Sequence, residues 1–270
     1  MWVRILTAAV LLGLLIPLSV WLSVSGFVVL CVGVLALCLW EWTGLLRLAI
    51  GPRAAAVAFF LALTVPLVRD PFFSPWVLMD WFLLPICLAW LILLPMALRR
   101  RRTPVGWPGL ALAVGLTFGC VAAVWLARQE GLAFLLSIAL LVWVADTGAY
   151  FCGRAFGQRR LAPTISPGKT WEGVGGAVCG NLVLVAVSSE FWPQSWAAVL
   201  RDGSGWGYLV GTTLMLTAVA VMADLHQSLL KRQANVKDSG RLLPGHGGFF
   251  DRLDAVLAVL PFAVFFFAVS

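Results

Sequence analysis

Charged residues are scarce in this sequence of 270 residues, in which Asp, Glu, Lys and Arg together make up only 11%. A soluble domain carries about 25% charged residues, so the composition excludes an ordinary soluble protein. Hydrophobic residues supply 61% of the chain, in runs long enough to cross a bilayer. These runs do not alternate between polar and apolar positions, which excludes a transmembrane β-barrel. We therefore predict an all-α polytopic membrane protein.

Histidine is also rare, and cysteine lacks any metal-binding spacing. His226 and His246 are the two histidines of the chain, which argues against a histidine-rich metal site. The six cysteines all fall in apolar runs without C-x-x-C spacing, so they are interpreted as small core residues. The net charge of +7 is interpreted as a topology signal, and no nucleic-acid partner is expected.

The apolar runs predict about nine transmembrane helices, and the basic residues orient them. The predicted spans are 5–24, 26–46, 54–68, 74–98, 108–127, 131–153, 173–192, 205–230 and 253–270. This arrangement places 16 of the 19 Lys and Arg residues on one side of the membrane. Because basic loops stay in the cytoplasm, we expect a cytoplasmic N-terminus. The first run also fits a signal peptide, and a retained span is preferred because the run is long.

We divide the chain into an N-terminal and a C-terminal region. Residues 1–127 form about five N-terminal spans, and residues 128–270 form a catalytic region of about four spans. The catalytic region carries cytoplasmic loops at 154–172 and 231–252, where the polar residues concentrate. We expect a polar cavity in this half that faces the cytoplasm.

Two carboxylates lie within predicted spans, where a charge is costly. Asp146 precedes Arg154 by eight residues, and Asp224 precedes Lys231 by seven. At about 1.5 Å per residue, both lie roughly 10–12 Å below the cytoplasmic surface. Equal depth predicts a shared cavity, although a buried, hydrogen-bonded aspartate would show the same pattern. Asp224, Ser228 and Lys231 also lie on one helix face, which suits a cation-bound polyphosphate.

A glycine cluster precedes the last span. His246, Gly247 and Gly248 allow close approach of the backbone to a ligand. Asp251 and Asp254 follow, and carboxylate oxygens are ligands that Mg²⁺ prefers. Capping of the last helix by one of the two aspartates is the alternative.

A second polar motif runs from Ser166 to Gly173 and reads SPGKTWEG. We predict that Ser166 caps a helix in which Pro167 takes the first position. The helix N-terminus beside Lys169 would then bind an anion. A P-loop is excluded, because Pro163 stands where that motif needs glycine.

These motifs resemble those of the phosphatidate cytidylyltransferases, also called CDP-diacylglycerol synthases. Residues 228–254 match the pattern S-x-x-K-R-x4-K-D-x-G-x2-L-P-x-H-G-G-x2-D-R-x-D without a gap. The stretches 166–173 and 146–150 resemble two further family motifs. Gly168 stands where the second motif often has a basic residue, and the resemblance covers roughly the C-terminal half.

The resemblance implies a multi-span enzyme of the bacterial inner membrane that works as a homodimer. It would condense CTP with phosphatidic acid to give CDP-diacylglycerol and pyrophosphate. It also implies a Mg²⁺ centre with K⁺ as a second cation, held by Asp224 and Asp251, and Asp146 and Asp254 are further metal candidates. A membrane CTP-dependent lipid kinase and, less favoured, a transporter are the alternative functions.

We assign roles on this basis. The predicted catalytic residues are Asp224, Asp251, Lys231 and Lys237. The predicted substrate-binding residues are Ser166, Lys169, Thr170, Glu172, Ser228, Arg232, His246, Gly247, Gly248 and Arg252. The alternative for the exposed basic residues is that they only hold their loops on the cytoplasmic side of the membrane.

Overall fold

The structure is a computed structural model that describes residues 17–69, 79–243, 245 and 247–270. Most of the first predicted span, at 5–24, lies outside the described residues. The predicted substrate-binding residue His246 also lies outside them. The fold and the site are therefore built from the remaining spans and motifs.

The described part of the chain contains eight long α-helices and one β-hairpin. The helices are α1 (Val24–Leu45), α2 (Ile50–Arg69), α3 (Leu84–Arg100), α4 (Gly106–Glu130), α5 (Leu132–Phe156), α6 (Trp171–Phe191), α7 (Trp196–Gln233) and α8 (Phe250–Ala268). A π-helical turn, Met79–Leu83, leads directly into α3. The antiparallel hairpin of β1 (Arg160–Ala162) and β2 (Ser166–Thr170) joins α5 to α6.

Seven of these helices, α1 to α7, are long and apolar enough to cross a membrane. The predicted class of polytopic membrane protein is therefore confirmed for the described chain. The predicted number of nine spans is not confirmed, since seven helices of the described chain have the required length and composition. Helix α8 is not among the seven, because Asp251, Arg252 and Asp254 place three charges near its start.

Side-chain caps and one glycine set the limits of the helices. The Ser23 hydroxyl accepts the Gly26 N–H at the start of α1 (3.2 Å), and Ser195 accepts the Ala198 N–H at the start of α7 (3.1 Å). Helix α7 is longer than the predicted span at 205–230, because it begins at Trp196. Gly205 interrupts it with φ of 82°, a conformation that glycine adopts without steric cost.

Helix α4, the most buried of the seven spans, packs against α1, α2, α3, α5 and α8. Helices α5 and α6 approach closely where glycines face each other. A Cβ added at Gly148 would lie 2.6 Å from the Gly176 carbonyl oxygen, so a larger residue would separate the helices. Helix α8 packs against α7, α4 and α5. This packing brings the two polar motifs and the end of α7 to one region.

Candidate active site

A cavity of about 580 Å³ lies where α5, α7, the β-hairpin and the start of α6 meet. Carboxylate, cationic and hydroxyl side chains share its wall with apolar ones. The polar lining residues are Asp146, Tyr150, Arg154, Arg160, Ser166, Lys169, Thr170 and Asp224. Two spans and the SPGKTWEG motif, distant in sequence, therefore contribute to one pocket.

Lys169 and Asp224 form the centre of this pocket through an ion pair between Nζ and Oδ2. Both side chains remain partly exposed, at 25% and 32%. Asp146 interacts electrostatically with both of them, and Asp254 does so from α8. We call this set of Asp146, Lys169, Asp224 and Asp254 the open carboxylate site. Asp224 contacts the Lys169 ammonium group directly, and Asp146 and Asp254 interact with both through space, so the set offers more carboxylates than ammonium groups.

The open carboxylate site fits a divalent cation whose coordination shell is completed by ligands from outside the protein. Within the described ranges, no group of three or more His, Cys, Asp or Glu side chains is arranged to hold a metal ion without further ligands. Mg²⁺ commonly binds through one or two carboxylates, with water and substrate phosphates completing its shell. Asp224 and Asp146 therefore suit a Mg²⁺ ion that arrives with a polyphosphate, rather than one held by protein ligands alone.

Asp251 lies in different surroundings at the start of α8. Its Oδ1 accepts hydrogen bonds from Lys231 Nζ (2.8 Å) and Gln227 Nε2 (3.0 Å). Its Oδ2 accepts from the Ser239 N–H (2.8 Å), the Ser239 hydroxyl (2.9 Å) and the Gly248 N–H (3.0 Å). The side chain is only 8% exposed. We call Asp251 with these four partners the closed carboxylate site.

The predicted polar face of α7, formed by Asp224, Ser228 and Lys231, extends from the open site to the closed site. Asp224 belongs to the open site, Lys231 to the closed site, and the half-buried Ser228 lies between them on the helix. The contacts of the described residues thus engage Asp224 and Asp251 with different partners. Joint binding of one cation by these two aspartates stays a prediction.

The start of α6 differs from the sequence interpretation. Ser166 and Pro167 lie in strand β2, so the predicted helix capped by Ser166 is wrong. The helix begins at Trp171 instead, and the Thr170 hydroxyl caps it by accepting the Gly173 N–H (3.1 Å). Pairing of β1 with β2 keeps the chain extended as far as Thr170, which local cap preferences do not reveal.

Two of the predicted substrate-binding residues in this motif contact the backbone. Thr170 is 3% exposed, and its hydroxyl is used by the cap. Glu172 accepts the Gln158 N–H (3.1 Å) and the Arg159 N–H (3.2 Å) through its carboxylate. Both side chains therefore fasten the hairpin to α6. Ser166, Lys169 and Thr170 line the cavity, and Glu172 is not among its lining residues.

The remaining predicted residues lie along the end of α7, in the segment before α8 and at the start of α8. Arg232 Nε donates to the Ile165 carbonyl oxygen in the hairpin turn (3.4 Å). Lys237 and Arg252 are exposed. A Cβ at Gly247 would fall 2.8 Å from Asp251 Oδ2, so the backbone packs closely against that carboxylate.

Arg154 and Glu41 are among the residues that sequence reasoning did not assign to a site. Arg154 was counted as a topology marker, but it lines the cavity and donates to the Tyr150 hydroxyl (3.0 Å). Their spacing of four residues on one helix was the available signal. Glu41 was overlooked in an apolar run of α1, although an acidic residue inside a span is itself a signal.

The fold and the open site define a polytopic membrane protein with a polar pocket that contains an ion pair. The family model described as "Cytidylyltransferase family" matches residues 2–270. The chain belongs to this family, as the sequence motifs predicted.

Relatives with one printed name support the same family. The phosphatidate cytidylyltransferase of Pseudomonas aeruginosa is 35% identical over 271 residues, which cover 96% of this chain and 93% of the relative. That of Haemophilus influenzae is 44% identical over 138 residues, or 51% of this chain and 46% of the relative. That of Bacillus subtilis is 38% identical over 158 residues, or 58% and 56%. The last two alignments thus span about half of the relatives' length.

Proposed function

We propose that this chain transfers the cytidylyl group of CTP to phosphatidic acid, giving CDP-diacylglycerol and pyrophosphate. The observation that carries this proposal is the contact of Lys169 with Asp224 beside Asp146, in one pocket of a membrane protein. Relatives that share the cytidylyltransferase name, one of them along nearly the whole chain, support the activity. No contact in the described chain specifically favours a lipid kinase or a transporter.

The reaction needs little covalent chemistry from the protein. An oxygen of the phosphatidic acid phosphate forms a bond to the α-phosphorus of CTP. The bond from the α-phosphorus to the oxygen bridging to the β-phosphorus breaks, and pyrophosphate leaves with that oxygen and the bonding pair. The lipid phosphate is already anionic at neutral pH, so a general base is not required. Catalysis therefore depends on positioning and on neutralising the charge of two anions.

The open carboxylate site would hold the nucleotide end of the reaction. Lys169 and Ser166 line the pocket and are assigned to CTP. Arg154 and Arg160 line the same pocket and add positive charge. Lys231, Arg232, Lys237 and Arg252 stay assigned to substrate phosphates, and Lys231 would act from the closed site.

Asp224 would hold Mg²⁺, with Asp146 and Asp254 as further ligands and K⁺ as the expected second cation. When bound, the metal would supply charge neutralisation on the triphosphate and a template for its orientation. The Lys169 ammonium already contacts Asp224. We expect this ammonium group to move toward phosphate oxygens when CTP enters. Asp251 stays a candidate ligand, although five hydrogen bonds already engage its oxygens.

The membrane arrangement is part of the proposal. We propose about nine spans with a cytoplasmic N-terminus in the bacterial inner membrane, and a cavity that faces the cytoplasm. CTP would enter from water, and phosphatidic acid would enter from the lipid. The division at residues 127 and 128 and the homodimer are retained as expectations.

A labelling experiment tests the proposed function. The purified protein is incubated with phosphatidic acid, Mg²⁺ and CTP labelled either in cytidine or in the γ-phosphate. We expect cytidine label in the lipid and γ-label in pyrophosphate. Transfer of the γ-label to lipid would instead identify a kinase. No label in lipid, together with CTP-independent movement of solute across vesicles, would identify a transporter.

A further inference from the structure

Glu41 is a buried acidic residue to which no catalytic role is assigned above. It lies near the end of α1, between Trp40 and Trp42, and is only 3% exposed. A carboxylate inside a membrane-spanning helix is costly, so its partners should explain its presence. Those partners lie about 200 residues further along the chain, in the segment that leads to Asp251.

The Glu41 carboxylate bonds to both ends of this segment. Its Oε2 accepts the Phe250 N–H (2.9 Å) and contacts the Ser239 hydroxyl (3.0 Å). Its Oε1 is buried and has no hydrogen-bond partner among the described residues. Glu41 therefore connects the first residue of α8 with the start of the preceding turn.

Two glycines make room for this contact. A Cβ at Gly240 would collide with Glu41 Oε1, and a Cβ at Gly248 would collide with Oε2. The carboxylate thus occupies a notch that exists only because both residues lack side chains. Gly240 and Gly248 belong to the sequence motif of residues 228–254, so the motif's glycines accommodate a residue outside the motif.

Ser239 links Glu41 to the closed carboxylate site. Its hydroxyl lies 3.0 Å from Glu41 Oε2 and 2.9 Å from Asp251 Oδ2. A hydroxyl has one proton, so it donates to one of these carboxylates at a time. The Ser239 and Gly248 N–H groups also bond to Asp251, and their positions depend on the same segment.

We propose that Glu41 is a positioning residue that holds Ser239 and the backbone from Gly248 to Phe250 against Asp251. It touches neither substrate in this account, and it acts through Ser239 and the backbone around Gly248. The proposal rests on the proposed function, because it assigns Glu41 to the same reaction.

Two substitutions of equal shape separate hydrogen bonding from packing. Glu41→Gln keeps an acceptor for the Phe250 N–H and adds N–H donors toward Ser239. Glu41→Met has nearly the same shape but removes both hydrogen bonds. Thr43→Val is the control, because Thr43 is fully buried on the same helix and its hydroxyl bonds only locally, to the Trp40 carbonyl (3.0 Å).

We expect Glu41→Met to lower kcat about a hundredfold with a smaller change in KM for CTP, as displacement of a positioned group does. Glu41→Gln should stay within about tenfold of the wild type, since it retains the hydrogen bonds. Thr43→Val should match the wild type. Wild-type kcat in Glu41→Met, or an equal loss in Glu41→Gln, would overturn the proposal.

Hydrogen–deuterium exchange in detergent gives a readout that needs no turnover. Backbone exchange in residues 237–249 should be faster in Glu41→Met than in Glu41→Gln or Thr43→Val. Equal exchange in all three variants would overturn the positioning role. A wild-type protein that makes no CDP-diacylglycerol would defeat the proposed function, whereas the exchange result would still decide the role of Glu41.

Discussion

Helix α7 contributes Asp224 to the open carboxylate site and Lys231 to the closed carboxylate site. The aspartates of the two sites nevertheless have different surroundings. Asp224 shares one lysine with Asp146 and Asp254, and a third of its side chain is exposed. Asp251 receives five hydrogen bonds and is almost completely buried. A carboxylate with few donors retains the capacity to bind a cation, whereas one with many donors fixes the chain around it.

The difference suggests a division of labour within one motif. The open site would receive the nucleotide with its cation, and the closed site would hold the segment between α7 and α8 through Ser239 and Gly248. Lys231 belongs to the closed site although it lies only two turns of helix beyond Asp224. Substitutions at the two sites should therefore differ in their effects on turnover and on thermal stability.

The largest effect is expected for Asp224→Asn. It removes the charge proposed to bind the cation and leaves Lys169 without its carboxylate partner. Turnover should fall about a hundredfold to a thousandfold, as for loss of a preorganised charged group, while the protein should remain folded. Labelled-lipid formation and thermal unfolding in detergent measure both. Asp202→Asn is the control, since Asp202 is an exposed carboxylate at the other end of α7.

Asp251→Asn is expected to lower turnover about a hundredfold and also to lower the midpoint of thermal unfolding. The reason is that the Lys231 ammonium, which is 17% exposed, would lose an ionic partner that is 8% exposed, and such a loss is costly in a largely buried pair. The same two assays compare it with Asp224→Asn. An unfolding midpoint no lower than that of Asp224→Asn would remove the distinction between the sites.

Lys169→Met should raise KM for CTP about tenfold or more, because a hydrogen bond from a charged donor is lost. Initial rates at varied CTP and fixed phosphatidic acid measure this effect. Arg159→Met is the matched control, since Arg159 is an exposed cation beside the same hairpin. An unchanged KM for CTP in Lys169→Met would argue against the assignment of this lysine to the nucleotide.

The smallest effect is expected for Thr170→Ala. Loss of a helix cap lowers stability by about 1 kcal/mol. The unfolding midpoint should decrease, and Thr170→Ser should restore it because serine retains the hydroxyl. If Thr170→Ala lowers CTP affinity with no change in the unfolding midpoint, Thr170 binds substrate instead of capping α6.

The sequence predicted the membrane class and identified Asp224 and Asp251 as candidate site residues, because both inferences depend on local composition. Long apolar runs locate helices without knowledge of their neighbours, and acidic residues within them are conspicuous. The positions of Ser166 and Thr170 were not predictable in the same way. Two residues could cap the helix locally, and the pairing of β1 with β2 decided between them.

Glu41 shows a different limit. It lies in a region that matches the family motifs only in type, so its proximity to residues 239–250 could not be read from spacing. The different partners of Asp224 and Asp251 also follow from tertiary contacts, since helix geometry relates Asp224 to Lys231 but not to α8. Local patterns identified the chemical groups, and packing determined which of them meet.

Binding of Mn²⁺, used as a paramagnetic substitute for Mg²⁺, tests the central claim most directly. Electron paramagnetic resonance would count the ions bound to purified protein with CTP present, in the wild type, Asp224→Asn and Asp202→Asn. The account predicts protein-bound Mn²⁺ in the wild type and Asp202→Asn, and its loss in Asp224→Asn. Undiminished, CTP-dependent Mn²⁺ binding in Asp224→Asn would contradict the open carboxylate site as the place where the nucleotide and its cation bind.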